Sequence, residues 1–120
     1  MSEVVGVGLD LVDVERFRQV LERRPSLASR IFHPRELEVD RPERLAARFA
    51  AKEAFLKSLD SGLGAARLRD IEVVRAESGA PTLVLHGTAA ALAATRGVRS
   101  WKLSLSHTEL SAGAIVMALA

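Results

Sequence analysis

The stretch 48–59 constrains the fold of this chain most, because it has the spacing of a helix with distinct faces. A helix turns about 100° per residue, so its large apolar residues fall on one stripe that predicts a face turned to the core: Leu45, Phe49, Leu56 and Leu59. Small residues lie beside that stripe and leave room for a ligand, a strand or a neighbouring backbone: Ala46, Ala50 and Ala54. We therefore expect the rest of the chain to be organised around this helix.

Three charged residues of the same helix need their own explanations. Lys52 falls inside the apolar stripe, where a long amine must reach solvent along its stem or find a partner. Glu53 and Lys57 lie four residues apart off one side of the helix, in the order that favours a weak ion pair. A solvated pair contributes little stability, so a functional role for these two residues needs support from elsewhere in the chain.

That support comes from the run 4–12, which has the pattern of a buried strand. Its large apolar residues share one face: Val5, Val7, Leu9 and Leu11. Gly6, Gly8 and Asp10 share the other face, so two absent side chains clear a path beside one carboxylate. A carboxylate in such a run should have a cation, hydrogen-bond donors or water beside it, although backbone donors at the strand end would also satisfy it.

The remaining pattern predicts an α+β domain over residues 1–120, with antiparallel strands wrapped on a long central helix. Asp13 can cap a first helix, which Pro25 ends. Short helical pieces should follow at 26–32 and from Pro34, and a charged loop at 38–44. The other expected elements are a hairpin of strands at 71–76 and 81–86, an alanine-rich helix from Thr88 to Gly97, and strands at 101–105 and 114–119.

Composition excludes several classes of protein. The absence of cysteine excludes disulfide scaffolds and thiolate metal sites, and we expect a cytoplasmic protein without a signal peptide or a membrane span. Fourteen of the seventeen basic residues are arginine, which favours anionic partners. A non-enzymatic basic module that binds nucleic acid or an acidic protein is the alternative to an enzyme, but a net charge of +2 and 4% aromatic residues argue against nucleic acid.

The candidate chemistry is a magnesium site. His33, His86 and His107 lack the close spacing of a zinc site, and Ser106 and His107 are neighbours on a strand, so they point apart. Asp10 and Glu53 instead offer carboxylate oxygens, which hold Mg²⁺ when a substrate phosphate supplies further ligands. The glycine-rich exit at 60–64 is more simply a helix stop than a phosphate loop.

Three segments carry a resemblance to a known family. Residues 6–16 (GVGLDLVDVER), 48–57 (RFAAKEAFLK) and 104–108 (SLSHT) closely resemble motifs of the holo-[acyl-carrier-protein] synthases, the small 4′-phosphopantetheinyl transferases. Their order and separation match over nearly the whole chain, and Gly79 and Pro81 fit the hairpin turn of the family. Asp60 departs from the pattern, since glycine is usual there, but Asp tolerates left-handed backbone.

The resemblance implies transfer of 4′-phosphopantetheine from coenzyme A to a serine hydroxyl of an apo acyl carrier protein, with release of adenosine 3′,5′-bisphosphate. It implies that Asp10 and Glu53 bind Mg²⁺ and that Lys57 stabilises the leaving phosphate, an electrostatic role typical of phosphoryl transfer. The general base would be Glu53 acting through a metal-bound water, or Asp10 itself.

The resemblance also implies binding surfaces. Arg48 and the segment Ser106, His107 and Thr108 match positions near the coenzyme A site. Arg16 matches a position that meets the acidic carrier protein, with Arg23 or Arg24 as plausible neighbours. The family forms homotrimers with active sites between subunits, so an apolar strand face left uncovered in one copy would be buried by the next. The carrier protein, from fatty acid or polyketide synthesis, is left open, as are contacts of Arg41 or Arg44 to the 3′-phosphate of coenzyme A.

Overall fold

The computed structural model describes residues 3–38 and 41–120, so Val39 and Asp40 of the predicted loop lie outside the described residues. The strands are β1 (Val4–Asp13), β2 (Ile71–Arg75), β3 (Pro81–Leu85), β4 (Ser100–His107) and β5 (Ser111–Leu119). The α-helices are α1 (Val14–Arg23), α2 (Leu27–Ile31), α3 (Pro42–Ser58) and α4 (Gly87–Thr95), with 3₁₀ turns at Pro34–Glu38 and Leu68–Asp70. The predicted α+β class is confirmed.

Two antiparallel sheets surround α3. In the larger sheet β5 lies between β1 and β4, and the smaller sheet is the predicted hairpin of β2 and β3. The inward residues of β5 are small and buried: Ala112, Ala114, Val116 and Ala118. Because small side chains shorten the distance between a sheet and a helix, α3 lies across β1 and β5. The central position predicted for this helix is therefore confirmed.

Helix α3 begins earlier than the sequence pattern suggested. We predicted a loop as far as Arg44, whereas the helix starts at Pro42. Proline suits the first helical position, since its missing N–H would have no partner there and its φ is already helical. At the other end Asp60 adopts a left-handed φ of 53°, as expected for a residue where glycine is usual.

The two glycines of β1 allow α3 to approach the strand closely. A Cβ atom built on Gly8 would overlap the carbonyl oxygen of Ala54, and one on Gly6 would overlap that of Ser58. The small residues of the helix left room for a ligand, a strand or a neighbouring backbone, and the structure shows that a strand lies there. Asp10 lies two residues beyond Gly8 on the same face, so this close approach brings its carboxylate to the surface of the helix.

The outer face of β1 differs from the prediction. We expected a buried strand, but its large apolar side chains are 47–76% exposed in the protomer: Val5, Val7, Leu9 and Leu11. The prediction was wrong for this face because alternation turns the glycine face, and not the aliphatic face, toward α3. Ile115 of the neighbouring β5 is also exposed, at 41%, so the sheet presents an uncovered apolar surface.

The first helix is organised as expected. The Asp13 side chain accepts a hydrogen bond from the backbone N–H of Arg16 at 2.8 Å, which caps α1. Phe17 on its inner face stacks on Phe49 of α3, with 5.0 Å between ring centroids. Among residues 3–38 and 41–120, every helix is too short or too polar to cross a lipid bilayer.

Candidate active site

Asp10 and Lys57 form an ion pair where β1 meets α3. The Lys57 Nζ donates to Asp10 Oδ1 at 3.1 Å and to the Leu9 carbonyl oxygen at 3.0 Å. The Asp10 side chain is only 11% exposed, whereas that of Lys57 is 51% exposed. Asp10 Oδ2 is buried and has no hydrogen-bond partner among the described residues. One oxygen of a nearly buried carboxylate is thus left available to a ligand.

Glu53 shares this site and titrates abnormally. Burial, followed by hydrogen bonding to Asp10 and repulsion from its charge, raises the pKa of Glu53 from 4.5 to about 7, against the opposing attraction of Lys57. The structure therefore brings together the three residues that the sequence placed on two distant segments. The weak Glu53–Lys57 ion pair that the sequence spacing favours is not formed within hydrogen-bond distance, since Lys57 binds Asp10.

The fit of these residues to Mg²⁺ follows from their chemistry. Two adjacent carboxylates repel each other, and this repulsion adds to burial, the larger cause, in raising the pKa of Glu53. A divalent cation bound between them would relieve that repulsion and would provide a partner for Asp10 Oδ2. Asp10 and Glu53 are consequently the residues that would hold the metal.

A cavity of about 340 Å³ opens beside the two carboxylates. Asp10 and Glu53 line it together with Arg16 of α1 and apolar side chains such as Phe17 and Phe49. A second cavity, of about 230 Å³, joins Glu53 and Lys57 to Gly62 and Leu63 of the following loop. The carboxylates thus border an apolar groove on one side and a glycine-containing loop on the other.

Arg48 and His107 meet in a different cavity of about 340 Å³, which Arg44 and Arg75 also line. Burial lowers the pKa of the Arg48 guanidinium, while attraction by Glu36 opposes this effect. Because burial penalises its charge, an anion in this cavity would be a favourable partner for Arg48. Sequence reasoning missed Arg75, since an arginine at the end of a strand carries no special signal.

Ser106 and Thr108 of the 104–108 motif are not among the described residues that line this cavity. Thr108 Oγ1 accepts the backbone N–H groups of Leu110 and Ser111, at 3.1 and 3.0 Å, so its hydroxyl holds the turn between β4 and β5. Ser106 is exposed near the end of β4 and lies opposite Gly113 in the sheet. From this motif, Leu105 and His107 line the basic cavity, and His107 is the polar one of the two.

The predicted docking arginines lie along α1. Arg16, Arg23 and Arg24 are all exposed, and Arg16 is the one that lines the cavity of Asp10 and Glu53. Arg18 of the same helix is held by Glu15 and Glu22 in ion pairs of 2.5 Å. A basic strip therefore begins at the carboxylates and continues toward the end of the helix.

Lys52 finds a partner inside the protein. Its Nζ donates to Glu36 Oε1 at 2.6 Å, to the Leu68 carbonyl oxygen at 3.0 Å and to the carbonyl oxygen of Ile71, and both Lys52 and Glu36 are fully buried. Glu36 Oε2 also accepts the backbone N–H of Val73 at 3.2 Å. Burial lowers the pKa of Lys52 and Glu36 opposes the shift. This amine has a structural role.

Two of the histidines are closer together than the sequence suggested. The rings of His33 and His86 stack with 4.9 Å between their centroids, and Glu72 contacts both. Sequence spacing, on which we set a zinc site aside, could not show this proximity, because the fold joins segments 53 residues apart. His107 lies in the basic cavity described above.

Residues 6–116 match the sequence profile of the 4′-phosphopantetheinyl transferase superfamily. The chain belongs to that superfamily. The transferase motifs named in the sequence analysis all lie within the matched range, and they supply Asp10, Glu53 and Lys57 to one site.

Known transferases of this kind match along almost their whole length. A holo-[acyl-carrier-protein] synthase of Frankia alni is 51% identical over 115 residues, covering 96% of this chain and 97% of the relative. The fold also matches an acyl carrier protein synthase of Plasmodium yoelii with ADP bound, with a TM-score of 0.92, 28% identity and coverage of 99% and 97% of the two chains.

A third match concerns a ligand complex. The holo-[acyl-carrier-protein] synthase of Helicobacter pylori in complex with coenzyme A matches with a TM-score of 0.84 and 27% identity, covering 93% of this chain and 98% of that one. Antiparallel sheets around a long helix are thus the architecture of solved synthases.

Proposed function

We propose that this chain is a holo-[acyl-carrier-protein] synthase, which transfers 4′-phosphopantetheine from coenzyme A to a serine hydroxyl of an apo acyl carrier protein. The products are the holo carrier protein and adenosine 3′,5′-bisphosphate. The observation that carries this proposal is the meeting of Asp10, Glu53 and Lys57 around a buried carboxylate oxygen that has no hydrogen-bond partner in the part of the chain that the structure describes. Related chains with that name match over nearly their full length.

Asp10 and Glu53 are proposed to hold Mg²⁺. When bound there, the ion would act as a Lewis acid that neutralises charge on the pyrophosphate of coenzyme A. Asp10 keeps one oxygen in the ion pair with Lys57 and offers the other as a ligand. This assignment agrees with the preference of Mg²⁺ for one or two carboxylates completed by phosphate oxygens.

The chain's own residues account for the proton and the leaving group. The serine oxygen forms a bond to the pantetheine-bearing phosphorus while the bond from that phosphorus to the bridging oxygen breaks. The proton of the serine hydroxyl would pass to Glu53 or to Asp10, the two carboxylates that line the same cavity. Lys57 carries its charge at the mouth of the site and would stabilise the departing bisphosphate.

Coenzyme A binding is proposed to use the basic cavity. Arg48 and His107 line it together with Arg44 and Arg75, which supports a phosphate-bearing end of the substrate there. Ser106 and Thr108 would act from the same strand end, Thr108 by holding the turn. Arg44 is therefore a stronger candidate for the 3′-phosphate than the sequence suggested.

A homotrimer with active sites between subunits is proposed as the working form. The cavity at Asp10 and Glu53 and the cavity at Arg48 and His107 are lined by different residues. In the proposed trimer, the first cavity of one copy and the second cavity of its neighbour would together form one active site. The exposed aliphatic face of β1 would be buried in that assembly. Sedimentation equilibrium at micromolar concentration should give three times the 13.0 kDa chain mass.

The decisive experiment weighs the carrier protein. An apo acyl carrier protein, incubated with the enzyme, coenzyme A and Mg²⁺, should gain the mass of phosphopantetheine, and a chelator should prevent the gain. Asp10→Ala and Glu53→Ala should each remove most of it. Unmodified carrier in every pairing, together with tight and salt-sensitive binding to polynucleotides, would instead support the basic binding module.

A separate measurement tests the docking surface for the acidic carrier. Arg16→Glu should raise the KM for the carrier protein and leave that for coenzyme A unchanged, with Arg23→Glu or Arg24→Glu giving smaller effects because they lie farther from Asp10 along α1. Arg99→Glu, an exposed charge change before β4, is the matched control. Equal changes in both KM values would contradict the docking role.

The cytoplasm is the proposed compartment, and residues 1–120 are proposed to form a single domain.

A further inference from the structure

His33, Glu72 and His86 meet where three segments of the chain come together. His33 precedes the 3₁₀ turn Pro34–Glu38, Glu72 lies on β2, and His86 follows β3 and caps α4. The Glu72 side chain is only 3% exposed, and those of His33 and His86 are 22% and 34% exposed. None of the three takes part in the transferase chemistry proposed above.

The donor atoms of these residues converge. The His86 Nε2 lies 2.8 Å from Glu72 Oε1, and the His33 Nδ1 lies 3.8 Å from Glu72 Oε2. One donor atom from each of the three residues lies within 4.8 Å of the other two. In a tetrahedral zinc site the ligand atoms are about 3.3 Å apart, as follows from bonds of about 2 Å. Small side-chain rotations would therefore close the set around an ion.

We propose that His33, Glu72 and His86 form a binding site for a divalent transition metal, with Zn²⁺ as the best match. Two imidazoles and one carboxylate are a donor set that Zn²⁺ accepts, with water in the fourth position. Mg²⁺ prefers oxygen ligands only, so the two metals select different sites on this protein. The proposal is independent of the transferase function.

Zinc binding would replace hydrogen bonds that these residues make in the absence of the metal. The ion replaces the hydrogen bond between His86 and Glu72, and it also displaces the backbone N–H of Arg35, which lies 3.2 Å from His33 Nδ1. The Arg35 Nε is 3.3 Å from Glu72 Oε2, but its side chain is 66% exposed and can turn into solvent. Because metal ligands bind in their deprotonated forms, protons compete with zinc for them, and the affinity of such a site falls as the pH is lowered.

The site has a structural consequence for the rest of the protein. The His33 backbone N–H donates to Glu36 Oε1 at 2.9 Å, and Glu36 holds Lys52 of α3. An ion bound at His33, Glu72 and His86 would therefore cross-link the hairpin of β2 and β3 to the segment Pro34–Glu38, which contacts α3 through Glu36 and Lys52. A ligand that binds only the folded state raises its melting temperature.

The test is a zinc titration of the chelator-treated and dialysed protein in excess Mg²⁺. Isothermal calorimetry should show one zinc ion per chain, and zinc should raise the Tm by several degrees. His33→Gln and His86→Gln should each weaken zinc binding at least about 10-fold, since even outer-shell changes have effects of that size. Both side chains are partly exposed, so these variants should keep the wild-type circular dichroism.

Two controls separate this site from the others. His107→Gln removes the histidine of the basic cavity, and Asp10→Asn alters the magnesium site; neither should change the zinc affinity. The proposal is overturned if the wild-type protein binds no stoichiometric zinc, or if binding survives in both His33→Gln and His86→Gln. Loss of zinc binding in Asp10→Asn alone would equally overturn it, because it would place the zinc at the carboxylates.

Discussion

Two charged clusters lie on the same helix and differ in how well their polar atoms are satisfied. Lys52 and Glu36 are fully buried, and Lys52 has a carboxylate and two backbone carbonyl oxygens as acceptors. One residue further along α3, Glu53 lies beside Asp10, where one carboxylate oxygen has no partner among the described residues and the pKa of Glu53 is raised to about 7. The first cluster is complete, whereas the second is incomplete because one carboxylate oxygen is left for a ligand.

The difference shows how charge can be used in one protein for two purposes. A buried pair whose donors and acceptors are matched holds segments in place but offers nothing to a ligand. A cluster with like charges and an unpartnered oxygen costs stability, and that cost is recovered when a cation or substrate binds. Of these two charged clusters, the one with the unpartnered carboxylate oxygen is therefore the candidate for ligand binding.

The largest expected effect comes from breaking the complete cluster. Lys52→Met should destabilise the protein by about 3–5 kcal/mol, because Glu36 would keep a buried charge without its cation. Urea unfolding measures the change, and Lys102→Met, an exposed lysine on β4, is the control. A loss below about 1 kcal/mol would show that the backbone donors to Glu36 suffice. The double variant Lys52→Met/Glu36→Leu should recover much of the loss.

Removing the cation of the incomplete cluster should affect catalysis more than stability. Lys57→Ala should lower kcat about 10²–10³-fold, as expected when one electrostatic donor to the transition state is lost. Its thermal stability should change little, since the Lys57 side chain is half exposed. Steady-state kinetics with an apo carrier protein would measure the effect, with Lys102→Ala as the control. An unchanged kcat would remove Lys57 from the mechanism.

The close contact between β1 and α3 can be tested at a glycine. Gly8→Ala should destabilise the protein by about 1–3 kcal/mol, because the added methyl group meets the Ala54 carbonyl oxygen. Widening the gap should also separate Asp10 from Glu53 and lower the Mg²⁺ affinity. Gly62→Ala is the matched control, as its Cβ would meet no atom within 4 Å. Equal stability of the two variants would contradict the close approach.

The smallest effect concerns the pH dependence of stability in a chelator. The pKa of Glu53 rises from 4.5 to about 7 on folding, so its contribution is fully present below pH 4.5 and is lost as the pH rises through 7. Glu53→Gln should therefore stabilise the metal-free protein at pH 8, because it removes a charge that burial and Asp10 disfavour; the gain should be only about 1 kcal/mol, since solvent screens part of this cost. Thermal melts at pH 5 and 8 measure this difference, with Glu77→Gln as the control. Destabilisation at pH 8 would contradict it.

Most of the elements were predictable, because they depend on local periodicity, whereas most of the candidate site residues were named from the resemblance to the family. The cap at Asp13, the hairpin around Gly79 and the alternation in β4 follow from spacing and turn chemistry. The start of α3 at Pro42 was missed because proline is compatible with both a loop and a first helical turn. The exposure of Leu9 and Leu11 was missed because alternation gives two faces without saying which one is inside.

The sequence by itself determined that the carboxylate of Asp10, in an apolar run, needs a polar partner, and its motifs carried the resemblance to the family. Only the tertiary structure decided that Lys57 binds Asp10, that Lys52 is buried with Glu36, and that His33 meets His86. The physical reason is that periodicity describes one segment at a time. A side chain finds its partner only when the backbones approach, and here Gly6 and Gly8 permit that approach.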